Sequence, residues 1–190
     1  MTDDYQCIVL CHNHRAQESR KFEKMIDQLS KHYSCRILTE KDIPSILSLY
    51  ESNPLYFQHC PPAPNLESVK EDMARLPEGK AKADKFYVGF WDSSNLVAVM
   101  DFVYAYPDEE TVFIGLFMVD QAYQGKGIGS QIVTEALTYF AKNFRKARLA
   151  YIKGNPQSQH FWKKQGFKPI GSEVKQELYT GVIVEQSLRG

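Results

Sequence analysis

The chain has no surplus of either charge: Lys and Arg number 23, and so do Asp and Glu. It therefore generates no long-range field for gathering nucleic acid or an anionic membrane, and a free-standing basic DNA-binding module is excluded. Any anion site must be built locally. Cysteine is scarce, with four residues at Cys7, Cys11, Cys35 and Cys60 and no compelling pairing among them. Long apolar runs are missing too; nothing approaches the roughly 20 residues of a membrane span. The opening MTDDYQCIVLC is acidic, and its apolar stretch is too short for a signal core. These absences exclude a secreted disulfide scaffold and a membrane protein. They predict a cytoplasmic chain with reduced thiols and no nucleic-acid or membrane partner.

The chain has 190 residues, 43% of them hydrophobic and 24% charged, which is enough for one ordinary domain with its own core. Residues 1–33 read as an N-terminal helical extension, because Phe22, Ile26 and Leu29 recur at helical spacing among charges. Such a helix packs on the domain or on a second subunit, so a homodimer is allowed for. Residues 34–190 read as the domain proper. SCRILTEKD reads as a short strand followed by a turn, and Asp42 is placed to cap a helix through IPSILSLYES, with Pro44 in its first turn. Asn53–Pro54 ends that helix, HCPPAPN is a loop, and NLESVKEDMARL is a second helix. Three strands follow, KFYVGFWD, NLVAVMDFVYAY and TVFIGLFMVD, joined by short turns and hence antiparallel neighbours. A helix from about Gly129 to Phe144, the strand ARLAYIKG, a helix opened by Asn155–Pro156 and ended by Gly166, and a closing hairpin complete the chain. The fold class is α+β: a mixed, mostly antiparallel central sheet flanked by helices.

QGKGIGS, between the third of those strands and the long helix, carries the most chemistry. A phosphate cradle needs successive backbone N–H groups facing one concavity and side chains small enough to admit the ligand. A helix start adds unpaired amides and the positive end of the dipole. Gly125, Gly127 and Gly129 meet these conditions. The P-loop pattern fails because Lys126 precedes Gly127, and the dinucleotide pattern fails because Ser130 stands where its last glycine belongs. The preceding strands are also read as antiparallel, not as a βαβ unit.

What remains is Q-x-x-G-x-G at Gln124, Gly127 and Gly129, which resembles the pyrophosphate-binding motif of the GNAT superfamily of acyl-CoA N-acyltransferases. NPQSQHFWKKQGF resembles that family's late pattern: Asn155, Ser158, the aromatic pair Phe161–Trp162, then Gly166–Phe167. The resemblance covers about Ser34 to Leu188 and is strongest from Phe113 to Phe167. It implies acetyl-CoA as co-substrate and a small-molecule or peptide amine as acceptor, joined by direct attack in a ternary complex. It implies that Phe117, Met118 and Val119 bond the pantetheine arm through their main chains, in a gap where their strand bulges away from the next. The pyrophosphate falls to the segment Gln124, Gly125, Lys126, Gly127, Ile128, Gly129 and Ser130; Lys126 either neutralises a phosphate or is a solvated loop lysine. Asn155, Ser158 and Trp162 complete the cofactor wall. An amide near Met118 takes an oxyanion role.

Asp101 is the first candidate base, as the sole charge in LVAVMDFVYAY; the alternative is a structural acceptor at a sheet edge. Glu109 and Glu110 come next, by a turn. The sequence departs from the family at Trp162, where many members place the tyrosine that protonates the leaving thiolate. Indole cannot serve as an acid near neutrality, which leaves Tyr151 and His160, or no acid at all. The alternative function is a non-catalytic acyl-CoA-binding module of the same fold. Tyr56, Phe57, Tyr104 and Tyr106 are candidates to line the acceptor pocket. Cys7, Cys11, His12, His14, His32 and Cys35 have no standard zinc spacing, so no metal is expected. Cys60 beside His59 lacks an orienting partner for nucleophilic work.

Overall fold

The structure, a computed structural model, describes residues 26–189. Strand β1 (Ser34–Ile37) leads into helices α1 (Ile43–Glu51), α2 (Pro54–His59) and α3 (Leu66–Ala74). Strands β2 (Lys85–Asp92), β3 (Asn95–Tyr104) and β4 (Thr111–Val119) form a meander. Helix α4 (Ile128–Phe140), strand β5 (Lys146–Ile152), helix α5 (Pro156–Lys164) and the hairpin β6 (Lys168–Lys175) and β7 (Thr180–Ser187) follow. The seven strands form one sheet in the order β1-β2-β3-β4-β5-β7-β6. Every pairing is antiparallel except β4 with β5. The expected mixed α+β class is the one observed. No helix among the described residues is long and apolar enough to cross a membrane.

Alternation along the meander sends side chains to two cores. On one face Phe86, Val88, Phe90, Met100 and Phe102 pack against α4 through Ile132, Val133 and Phe140, joined by Ile26 and Leu29. On the other face Tyr87, Val99 and Met118 pack against Ile46, Leu49 and Tyr50 of α1 and Val69 of α3. Each fully buried side chain of this kind contributes about 1.5–3 kcal/mol over its exposed state. The part of residues 1–33 that lies within the described residues folds onto α4: Ser30 Oγ donates to Glu135 at 2.5 Å, and His32 Nδ1 sits 2.5 Å from the other carboxylate oxygen. Phe22 and the rest of the expected extension lie outside the described residues.

Three local expectations are corrected, and one helix is added to those expected. Asp42 makes no side-chain cap for α1. Its carboxylate reaches back instead to Thr39 N at 2.8 Å, closing a capping box on the 3-10 turn Glu40–Asp42. Helix α1 ends at Glu51, just before Asn53–Pro54 as expected, but Pro54 also starts α2, a six-residue helix with proline in its first turn, where the missing N–H costs nothing. Helix α4 stops at Phe140, although Phe144 beyond it is still buried. Finally, β4–α4–β5 is a parallel crossover, so the glycine loop does sit in a βαβ unit.

Two features of β4 position the site. Asp101 of β3 faces Leu116 and Phe102 faces Ile114, which leaves Gly115 as an extra residue in a bulge. Pairing with β5 runs only from Thr111↔Lys146 to Ile114↔Leu149 and stops there. Beyond Ile114 the two parallel strands part.

Candidate active site

The glycine loop is held by its neighbours. Asp120 Oδ1 accepts from Ala122 N at 2.8 Å, capping the 3-10 turn Gln121–Tyr123. The Gln124 amide donates to Asn53 Oδ1 at 2.7 Å and to Val119 O at 2.8 Å, fastening the loop to the end of β4 and to the segment after α1. Gly125 and Gly127 have φ of 73° and 81°, left-handed values that glycine adopts without strain. A Cβ built on either would meet no protein atom within 4 Å, so both face open space. Inside α4 the first bond is Gln131 N to Gly127 O at 3.0 Å. The amides of Gly127 to Ser130 therefore have no partner within the helix and lie at its positive end.

A cavity of about 440 Å³ runs from this loop into the gap between β4 and β5 and on to Tyr56 of α2. Phe117, Met118, Val119, Gln124, Gly125, Gly127, Gly129, Ser130, Tyr151, Asn155, Ser158 and Trp162 all line it. Three sequence candidates do not. Lys126 turns back, its Nζ donating to Ala122 O at 2.8 Å. Ile128 packs against the core. Asp101 lies behind Gly115, which does line the cavity. Some lining residues have structural duties as well. Asn155 Oδ1 caps α5 through Ser158 N at 3.0 Å, and Ser130 Oγ accepts from Gln165 at 2.8 Å. Trp162 is buried, edge-on to Phe167 with ring centroids 5.2 Å apart and to Phe117 at 6.1 Å. Tyr151 is buried, whereas His160 is exposed on the cavity wall.

Asp101 sits mid-sheet rather than at an edge. Its Oδ2 accepts from Lys85 Nζ at 2.8 Å, and the same ammonium donates to the Asp72 carbonyl at 2.9 Å. Its Oδ1 is buried without a hydrogen-bond partner. Burial pushes the carboxyl up to about 6 against the pull of Lys85, which alone would lower it. The surroundings are polar. The Tyr50 hydroxyl bonds the Tyr87 hydroxyl at 2.5 Å and donates to Asp72 Oδ2 at 3.1 Å. Burial likewise raises Asp72.

Sequence reasoning missed Lys85, Asp72 and the Tyr50–Tyr87 pair. The signal lay in the β2–β3 hairpin: Tyr87 stands opposite Asp101, and Lys85 is two residues away on the same face. Of the candidate acceptor aromatics, Tyr56 reaches the cavity and Phe57 packs beside it at 5.0 Å. Tyr104 instead joins the core near Phe86 and Phe144, and Tyr106 packs on Phe113. Glu109 and Glu110 are exposed at the β3–β4 turn, the opposite end of β4 from the loop. Cys60 is a partly buried free thiol, and burial raises its pKa. No cluster of three metal-ligating side chains occurs among the described residues. His32 is committed to Glu135, and burial pushes the Cys35 thiol up to about 12. Cys7, Cys11, His12 and His14 lie outside the described residues.

Residues 46–167 match the model of the acetyltransferase (GNAT) family. No curated protein sequence matches the chain. Among solved structures, an acetyltransferase from Thermus thermophilus is similar with a TM-score of 0.66 at 22% identity, over 81% of this chain and 96% of that one. A spermidine N-acetyltransferase from Vibrio cholerae, solved with CoA and spermine, gives 0.63 at 17% identity over 84% and 97%. The PaiA N-acetyltransferase from Thermoplasma acidophilum, solved with coenzyme A, gives 0.59 at 18% identity over 81% and 98%.

Proposed function

The chain belongs to the acetyltransferase (GNAT) family, and from that premise we propose that it moves an acetyl group from acetyl-CoA to a primary amine by direct attack in a ternary complex. The parting of β4 from β5 at the Gly115 bulge carries the reading, because it opens one cavity from the glycine loop to the α1–α3 face of the sheet. The residues present fit the co-substrate. The free space over Gly125 and Gly127 and the unpaired amides up to Ser130 suit a pyrophosphate. The edge of β4 at Phe117, Met118 and Val119, unpaired toward β5, suits the amides of a pantetheine arm. The amide near Met118 then stabilises charge on the thioester oxygen.

Acetyl-CoA supplies the activated acetyl group. The protein manages protons. An alkyl ammonium has a pKa near ~10 and cannot attack until it loses one proton. Asp101, held near 6, is the acceptor of that proton. The free amine forms the C–N bond as the C–S bond breaks. Of the two protons the ammonium loses in all, one ends on the departing sulfur and one in solvent. Tyr151 and His160, both on the cavity wall, are the groups placed to deliver the former. A thiol pKa of roughly 8.5 also makes the thiolate a tolerable leaving group unaided. The Vibrio structure, with CoA and spermine, and the Thermoplasma structure, with coenzyme A, support the substrate classes.

One observation favours a second reading: Trp162 is a buried wall residue where the family's usual acid stands. A binding module without turnover would keep the cradle and lose the acid. The deciding experiment is release of free thiol from acetyl-CoA against spermidine, glucosamine, lysine and a lysine-containing peptide. Turnover of any of them is expected and rejects the module. Coenzyme A binding with no thiol release from any of the four overturns the enzyme reading.

A further inference from the structure

We infer that Lys85 and Gly115 are positioning residues that hold Asp101 ready to take the proton of the acceptor amine, Lys85 by anchoring one carboxylate oxygen and Gly115 by leaving the space that the carboxylate occupies. The inference rests on the reading of Asp101 as the base.

Lys85 and Asp101 form an ion pair whose side chains are 7% and 13% exposed. Such a pair is a poor device for stability alone, since an apolar pair of similar volume would serve as well or better. Its geometry is asymmetric. Lys85 Nζ bonds only Oδ2, at 2.8 Å, and spends a second donor on the Asp72 carbonyl, which fixes the ammonium to α3. Oδ1 is left buried with no partner. A structural carboxylate would have both oxygens satisfied; here only Oδ2, the oxygen facing Gly115, is engaged, and by a single donor.

Gly115 supplies the opening. A Cβ at this position would lie 2.7 Å from Asp101 Oδ2 and 3.4 Å from its Cγ. Any side chain there would drive the carboxylate off Lys85. The bulge brings this residue opposite Asp101, and Gly115 is itself exposed on the cavity. The carboxylate thus stands directly behind the one position in β4 that has no side chain. The groups that face it are Lys85 and Tyr87 from β2 and Asp72 from α3; Tyr50 of α1 links Tyr87 to Asp72, with Glu71 and Arg75 of the α3 end acting on Asp72. Lys85 is the cation in contact with it. In the step itself an N–H bond of the ammonium breaks, its electron pair stays on nitrogen for attack, and the proton forms an O–H bond at Oδ2, the carboxylate oxygen nearest Gly115. Lys85 remains protonated throughout.

The test uses the full chain with Lys85→Met, Lys85→Arg, Gly115→Ala and Asp101→Asn. Two quantities are read: the pH profile of kcat/KM with the best amine of the panel above, and the titration of the Asp101 carboxyl by carbon NMR. The wild-type acidic limb and the NMR midpoint should coincide near about 6. Lys85→Met should move both up by about one unit, since it removes an opposite charge in contact. It should also lower kcat/KM for the amine about twofold at pH 7 and about fivefold at pH 6, while the KM for acetyl-CoA stays put. Lys85→Arg should keep the wild-type limb. Gly115→Ala should raise the NMR midpoint as Lys85→Met does, and it covers the case in which Lys85→Met fails to fold. An Asp101 midpoint that stays in place in both Lys85→Met and Gly115→Ala overturns the inference. So does a fall in kcat with no movement of the limb. A distinct failure belongs to the parent reading: if Asp101→Asn keeps the wild-type profile, Asp101 is not the base, whatever the NMR titration says of its anchoring.

Discussion

At Asp42 four hydrogen bonds converge on one carboxylate: two from the Arg36 guanidinium at 2.9 and 2.7 Å, one from Thr39 N at 2.8 Å and one from Thr39 Oγ1 at 3.0 Å. Arg36 foremost, with Thr39 assisting, holds this carboxyl down at about 2 against an ordinary 3.8. A depressed value in the folded state means stability that is present above pH 3.8 and lost as pH falls through about 2. Arg36 is 48% exposed, so solvent screens part of the gain. Asp42→Ala is therefore expected to cost about 1–2 kcal/mol at neutral pH, the worth of charge-assisted bonds after that discount. Chemical denaturation at pH 7 and again near pH 2 checks it, and the difference between wild type and variant should close at the lower pH. An equal gap at both would show that the carboxylate charge is not what matters. Asp101 has the opposite sign. Its raised carboxyl favours the folded state when protonated, and that contribution disappears as pH climbs from 3.8 through about 6. Two aspartates of one domain thus pull the pH profile in opposite directions.

The glycine loop works as an element because its backbone, not its side chains, faces the cavity. That makes a matched pair of substitutions informative. Gly127 and Gly79 have nearly equal left-handed φ, 81° and 78°, and neither would bring a Cβ near any protein atom. Gly127→Ala and Gly79→Ala should each lose about 1–2 kcal/mol through backbone strain alone. Only Gly127→Ala puts a methyl group into the cradle, and it should weaken coenzyme A binding at least about tenfold as measured by calorimetry, a further ~1.4 kcal/mol. Equal affinities in the two variants would remove the loop from the binding site. The same contrast explains which elements could be read from the sequence. β2, β3 and β4 announce themselves by apolar stretches between turn residues, and Asn155 announces α5 because a cap is a local event. Helix α2 hides behind Pro54, since six residues show no periodicity and proline signals a stop as readily as a start. Asp42 misleads for a related reason: Thr39 stands three residues earlier and takes its carboxylate first. The bulge at Gly115 depends on register between two strands, and no local pattern carries register. Lys85 and Asp101 are 16 residues apart and meet only because the hairpin between them folds.

For the molecule as a whole, the order of strands matters more than their number. The last hairpin turns back so that β7, not β6, pairs with β5. This gives β5 a full antiparallel partner on one side, from Lys146↔Ser187 to Ile152↔Gly181, while its other side is free beyond Leu149. The sheet can therefore open beside β4 without losing either strand. Two cores, one on each face, brace the opening, and the cavity passes between them. A ligand in that gap bridges β4, α4, β5 and α5, none of which can leave without breaking the sheet. Binding should thus stabilise the entire domain and not just a loop. At coenzyme A near 100 times its dissociation constant, linkage gives about 2.7 kcal/mol. For a domain of this size that is a rise in Tm of roughly 5–10 °C in a single cooperative transition. Differential scanning calorimetry with and without coenzyme A measures it. In Gly127→Ala the rise at the same ligand concentration should shrink to about half or less, because the weaker affinity enters through the same logarithm. A transition that splits in two on adding ligand, or one that does not move at all, would mean that coenzyme A does not occupy the seam between β4 and β5.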